Sequence, residues 1–213
     1  MAEPPRVFLA SRNARKLREM ERILGETVPG VQVLGLDDVR HYPEPAETEA
    51  TFEGNALIKV RAAVAATGLP SLADDSGLCV DALNGMPGVL SARWSGRVED
   101  GGNKDRANNL LLLEQLADVP DERRGAHFTC AAAFAYPAGE AGVVEQVVHG
   151  EMQGRVIREM RGDNGFGYDV LFVADGHART SAELPSDEKD AVSHRGKALR
   201  AIAPLVTDVL VGL

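Results

Sequence analysis

Three groups of residues have the types and spacing to do chemistry. The first is SRNARK, Ser11 to Lys16, placed between an apolar run and a helical pattern. Amide groups that open a helix lack intrahelical acceptors and carry partial positive charge, so Ser11, Arg12, Asn13, Ala14, Arg15 and Lys16 suit an anion such as a phosphate. The Walker pattern GxxxxGK[ST] is absent, and a solvated basic first turn is the alternative reading. The second group is acidic. Asp74 and Asp75 close an apolar run, and Glu47 lies upstream in a Pro- and Glu-rich stretch. Strand side chains alternate, so the two aspartates point to opposite faces, and a hard cation held by one of them needs an outside partner such as Glu47. Mg2+ takes one or two protein carboxylates and completes its shell with water and substrate phosphates, which fits so sparse a set; surface acids around a capped turn are the alternative. The third group joins GDNGFGYD, Gly162 to Asp169, with EKDAVSHR, Glu188 to Arg195. Glycines on both sides of Phe166 allow a sharp turn and an aromatic face open to stacking. Lys189, Ser193, His194 and Arg195 supply donors for a base edge or a phosphate.

These groups need elements to hold them. Arg6 to Ser11 reads as a strand, and Ala14, Leu17, Met20, Ile23 and Leu24 recur at helical spacing. VQVLGL, from Val31 to Leu36, reads as a second strand, and His41 to Thr48 as an exposed loop. A second helix is capped by Thr48 or Thr51, buries Phe52, Ala56, Val60, Ala63 and Val64, and ends at Gly68 and Pro70. A strand then runs into Asp74, turns at Ser76-Gly77 and resumes through Val80 before the turn-rich NGMPG. Asn103 to Asp118 is a helix with Leu110, Leu113, Leu116 and Ala117 inward. Ala126 to Tyr136 and Val143 to Met152 alternate at period two around PAGEAG, as an antiparallel hairpin does. Its first strand puts Phe128, Cys130, Phe134 and Tyr136 on one face and Ala131, Ala133 and Ala135 on the other, where a closely packed element fits. LFVA makes a further strand, and Ser193 caps a last helix that Pro204 kinks or divides. Strand-helix units followed by a long hairpin make an α/β protein with a mixed sheet.

At 213 residues, one domain spanning 1–213 is expected. A net charge of −9 opposes binding of a nucleic acid polymer, which requires excess Lys and Arg, but leaves room for a local pocket for a small anion. Neither a signal-peptide pattern nor an apolar run of membrane-spanning length is present, so a cytoplasmic protein that does not enter a membrane is expected. Cys79 and Cys130 lack metal or redox spacing and read as reduced core residues.

In chain order ASRNARK, Glu47 with TFEGNA, ADDSGL, PGVLSARWSG, GFGYD and EKDAVSHR resemble the motifs of the inosine triphosphate pyrophosphatase family, over nearly the whole chain. The resemblance implies two α/β lobes around a long central mixed sheet, a nucleotide cleft between them, and a homodimer. It implies Mg2+-dependent hydrolysis of a small-molecule substrate, a non-canonical purine nucleoside triphosphate (ITP, dITP or XTP), to the monophosphate and pyrophosphate. Carried over by position, Ser11 to Lys16 hold the triphosphate, Glu47 and Asp75 bind the metal, and Asp75 activates water. Ser76 contacts substrate, Phe166, Gly167, Tyr168 and Asp169 line the nucleoside pocket, and Lys189, His194 and Arg195 grip base and phosphate, with Arg93 as a further contact. Departures from the common pattern fall at Ser11-Arg12, Glu49, Asn164 and Val170, none of them a residue assigned to the chemistry itself except in the phosphate loop. Two rivals stay open here: a phosphohydrolase releasing orthophosphate, and a nucleotide-binding sensor without turnover.

Overall fold

The computed structural model describes residues 4–11, 14–28, 30–97 and 102–212. Strands β1 (Arg6–Leu9), β2 (Gln32–Leu34), β3 (Ser71–Val80), β4 (Gly125–Pro137), β5 (Val143–Val156) and β6 (Phe172–Ala174) form one sheet in the order β2-β1-β3-β4-β5-β6. β1 runs parallel to β2 and to β3, with Phe8 opposite Ser71 and Leu9 opposite Leu72, while β5 and β6 are antiparallel. The sheet is therefore mixed, as the alternation of strand-helix units with a hairpin predicts. The helices are α1 (Ala14–Thr27), α2 (Phe52–Thr67), α3 (Lys104–Gln115), α4 (Ser186–Val192) and α5 (His194–Gly212).

The chain divides into two compact units. The first comprises Met1–Asp75, Cys130–Gly150 and Arg195–Leu213, and the second Ser76–Thr129 and Glu151–His194. In the first, one sheet face packs Val7, Leu9, Leu72, Cys130 and Phe134 against Met20, Ile23 and Leu24 of α1 and Leu199, Ile202 and Val206 of α5. The other face is Ala73, Ala131, Ala133 and Ala135, covered by Ala56, Val60 and Val64 of α2. Small side chains on both surfaces let the helix approach the strands closely, which is the packed element the alanine stripe called for. Thr51 caps α2 by accepting from Gly54 N, and Gly68 ends it in the left-handed region at φ 68°. In the second unit, Leu78, Leu112, Leu116, Phe128, Met152, Val156 and Phe172 form a separate core. Arg124, 2% exposed, is built into that unit: its guanidinium donates to the carbonyls of Leu116, Val156 and Ile157.

Four expectations are corrected. Ser76-Gly77 does not turn; β3 is one ten-residue strand, because Gly77 is buried and the ladder outweighs the local turn preference of the dipeptide. The inward face of α3 is Asn108, Asn109, Leu112 and Leu116 with half-buried Leu113 beside it, whereas Leu110 is 48% exposed and Ala117 exposed, since Asn108 accepts from Ser95 and Asn109 donates to Gly167 on the inner side. The last helical region divides at Ser193, which is extended at ψ 150°, and not at Pro204, which lies inside a continuous α5. The β2 strand stops at Leu34, and a short 3-10 helix follows at Leu36–Asp38. Among the described residues no helix is long and apolar enough to cross a membrane, and neither Cys79 nor Cys130 forms a disulfide.

The alanine face sets a stability test. Ala133→Leu drives extra methylenes between β4 and α2 and is expected to cost about 1–3 kcal/mol in urea denaturation. Leu110→Ala, on the exposed side of α3, should stay within about 0.5 kcal/mol of the parent.

Candidate functional site

Along β3, Leu72 belongs to the core under α1 and α5, and Ala73 to the core under α2. Alternation then sends Asp74 to the first face and Asp75 to the second. On its face, Asp74 Oδ2 accepts from Lys16 Nζ at 2.8 Å and from Arg195 Nε at 3.3 Å. On the other, Asp75 Oδ2 accepts from Asn55 Nδ2 at 3.1 Å and Oδ1 from Lys59 Nζ at 3.1 Å. Asn55 and Lys59 are one helical turn apart, so both reach the same carboxylate from α2. Lys59 Nζ also lies 2.5 Å from Glu47 Oε1 and donates to the Asp74 carbonyl. The loop carrying Glu47 is tied down as well, since Asn55 Oδ1 accepts from Glu49 N. That loop requires glycine at 54, where a Cβ would meet Glu49 Cβ at 2.6 Å.

The two aspartates differ electrostatically. Burial alone would raise the pKa of Asp74, but Lys16, Arg195 and Lys59 outweigh it and hold the carboxyl well below the usual carboxylate range. Burial raises that of Asp75, the charge of Glu47 adds to the effect, and Lys59 and Asn55 offset it only in part, so the net shift is upward. Burial acts to lower the pKa of Lys59, yet Asp75, Glu47 and Asp74 more than compensate and keep its ammonium protonated. Asp74 is thus a fixed structural anion, and Asp75 a carboxylate with increased affinity for a proton.

The residues present fit a hard divalent cation. Glu47 and Asp75 offer oxygen ligands on either side of one ammonium. Among the described residues no cluster of three or more His, Cys, Asp or Glu side chains forms a complete protein cage. Such a donor set suits an ion that takes most of its shell from water and substrate oxygens.

The second unit carries the other predicted group. Gly165 has φ 80°, and a Cβ there would lie 2.2 Å from Asp169 Oδ2 and 2.7 Å from Lys189 Nζ. Asp169 Oδ2 accepts from Phe166 N at 2.9 Å and from Lys189 Nζ at 2.7 Å. Lys189 Nζ stands 5.5 Å from the centroid of the half-buried Phe166 ring. Tyr168 is 3% exposed, donates its hydroxyl to Ser91 O, and has a phenol pKa pushed up first by burial and then by Asp105. The His194 ring, 6% exposed, stacks on Phe128 at 4.7 Å and 9°.

The structure brings the predicted residues into two sets, one per unit: Ser11, Lys16, Glu47, Asp75 and Arg195 in the first, and Ser76, Phe166, Gly167, Tyr168, Asp169, Lys189 and His194 in the second. Ser11 is half-buried and lines a cavity of about 260 Å³ with Leu17, Gly35, Asp37, Asp38, His41 and Tyr42. Arg12 and Asn13 lie outside the described residues, as do the side chains of Ala14 and Arg15. Lys16 and Arg195, which the family resemblance reads as substrate contacts, both engage Asp74. Arg93 stands exposed at the end of the 3-10 helix Gly88–Arg93. Sequence reasoning missed Lys59 and Asn55, although their spacing on the helix after Glu47 was a usable signal.

Asp74 makes stability depend on pH in a defined direction. Its folded pKa lies below its unfolded value, so its stabilisation is present above the usual carboxylate range and is lost as pH falls through it. Asp74→Asn removes the buried carboxylate charge that Lys16 and Arg195 engage and is expected to cost about 3 kcal/mol at pH 7. The gap to the parent protein, followed by urea denaturation, should narrow below about pH 4; an equal gap at pH 3 and 7 contradicts this role.

Comparison with known proteins places the chain in a family. The Ham1 family model matches residues 7–205. A curated dITP/XTP pyrophosphatase of Nocardia farcinica is 60% identical over 93% of this chain and 93% of its own. One of Mycobacterium tuberculosis is 54% identical over the full length of both chains. Among solved structures, a nucleoside-triphosphatase / dITP/XTP pyrophosphatase from Mycobacterium abscessus is 56% identical, with a TM-score of 0.72 over 93% of this chain and 99% of that one. A HAM1 protein from Coxiella burnetii is 40% identical, with a TM-score of 0.81 over 95% of this chain and 98% of that one. Covering the strands, the helices and every motif of the candidate site, these matches establish that the chain belongs to the Ham1 family.

Proposed function

We propose that the chain is a nucleoside triphosphate pyrophosphatase that cleaves dITP, XTP and ITP between the α- and β-phosphates. The observation that carries this reading is Asp75, a buried carboxylate with raised proton affinity, held by Asn55 and Lys59 beside Glu47. The dITP/XTP pyrophosphatase names of relatives 50–60% identical support it.

Asp75 orients a water and accepts its proton as the water oxygen bonds to the α-phosphorus. The bond from that phosphorus to the bridging oxygen breaks, its electron pair leaves with pyrophosphate, and the nucleoside monophosphate remains. Mg2+, with Glu47 and Asp75 as its protein ligands, supplies charge neutralisation at the phosphates when bound. Lys59 keeps the two carboxylates from repelling each other and holds Asp75 in orientation. In the same reading Ser11 to Lys16 bind the triphosphate, Ser76 contacts substrate, and Phe166 to Asp169 with Lys189, His194 and Arg195 receive the nucleoside. A 6-keto purine presents an acceptor to donors at the base edge, whereas the 6-amino group of adenine sets donor against donor. A homodimer acting in the cytoplasm as one functional domain, 1–213, completes the proposal.

The product panel tests it. Purified protein with Mg2+ should convert dITP, XTP and ITP to monophosphate and pyrophosphate, turn over ATP far more slowly, and stop with chelator. Orthophosphate as the product supports a γ-phosphohydrolase instead, and tight binding without product supports a sensor. Asp75→Asn should lower kcat by about 100-fold or more. Because the folded pKa of Asp75 is raised, its ionised form opposes folding once pH exceeds that value, so the variant should be no less heat-stable at pH 7. Light scattering checks the dimer; a single species of 22.7 kDa removes it.

A further inference from the structure

The turn after Phe166 is gripped at both of its backbone groups by one face of α3. Gly167 N donates to Asp105 Oδ2 at 2.8 Å, and Gly167 O accepts from Asn109 Nδ2 at 2.8 Å. Asn109 Nδ2 also donates to Asp105 O at 2.8 Å, which locks the two residues, one helical turn apart, into a single unit. On the other side of the aromatic ring, Asp169 fixes Phe166 N. The amides on both sides of Phe166 are therefore set by carboxylates, that of Gly167 from α3 outside the loop, although Gly165 at φ 80° and Gly167 at φ 62° give the loop no stiffness of its own.

The buried amide of Asn109 has a feature that packing alone does not explain. The residue is 2% exposed, and its Oδ1 meets no hydrogen-bond donor among the described residues. A buried acceptor without a donor costs stability, and leucine would fill the same volume without that cost. The Nδ2 donation to Gly167 O is what the amide gains in exchange.

We infer that Asp105 and Asn109 are positioning residues which hold the Phe166 ring at the angle a purine base stacks on, and so set base affinity and choice without touching the phosphate chemistry. The inference rests on the proposed function for its substrate. Asn109→Leu removes the grip on Gly167 O while keeping side-chain volume. With dITP as substrate, it should raise KM about tenfold, the scale of one weakened base stack, and leave kcat within about twofold. The melting temperature should be equal or higher. Phe166→Ala should raise KM at least as far, and adding Asn109→Leu to it should change nothing further, because both act through one ring. An unchanged KM, a loss in kcat alone, or losses that multiply in the double variant would overturn the assignment. Asp105→Ala provides the same test should Asn109→Leu fail to fold. Hydrogen exchange in the peptide spanning 165–169 separates the two readings: if the parent cleaves no nucleotide, the proposed function fails. Faster exchange in either variant than in the parent still upholds the grip on the loop, and equal exchange overturns it.

Discussion

Asp74 carries a full negative charge with 1% of its side chain exposed, and the first unit is organised around keeping that charge in place. An isolated buried carboxylate would take up a proton; this one stays ionised because Lys16 from the first turn of α1 and Arg195 from the first turn of α5 converge on one oxygen. The cluster thereby fixes where two helices begin relative to β3. It also uses cations whose sequence neighbours read as anion binders, so the basic ends of α1 and α5 serve the fold before they serve any ligand.

The opposite face of β3 has a different logic. There the strands carry alanine and α2 answers with Ala56, Val60 and Val64, so the helix lies close to the sheet. Closeness is what lets Asn55 and Lys59 reach Asp75 directly. The side chains that hold Asp75 and those that let the helix approach lie on neighbouring stripes of the same α2 surface, and the packing of one sets the geometry of the other.

Much of this was legible in the residues. The alternation argument separated Asp74 from Asp75, the alanine stripe announced a closely packed element, and Thr51, one of two candidate caps, and Gly68 marked the ends of a helix, because each depends on local chemistry alone. What escaped depends on long-range partners. Lys59 carries no local mark of its role, which depends on Glu47 and Asp75 being brought to it. Asn108 and Asn109 rotated the expected inward face of α3 away from Leu110 and Ala117, since their amides find partners far along the chain, at Ser91, Ser95 and Gly167. Arg124, in the charged stretch DERRG, is buried because three carbonyls surround its guanidinium. The Ser76-Gly77 dipeptide failed in the other sense, its local turn preference overridden by the length of β3.

The division of labour between the two aspartates has its origin in strand register. β1 meets β3 with Phe8 opposite Ser71 and Leu9 opposite Leu72. A slip of one residue would turn every side chain of β3 to the other layer, offering Asp74 to Lys59 and Asp75 to Lys16. A different carboxylate would then face Asn55 and Lys59, and Leu72 would be forced against the alanine face. Which aspartate meets which cations is therefore decided not where they lie but by two backbone pairings at the start of the strand, so a residue such as Ser71 helps to choose it.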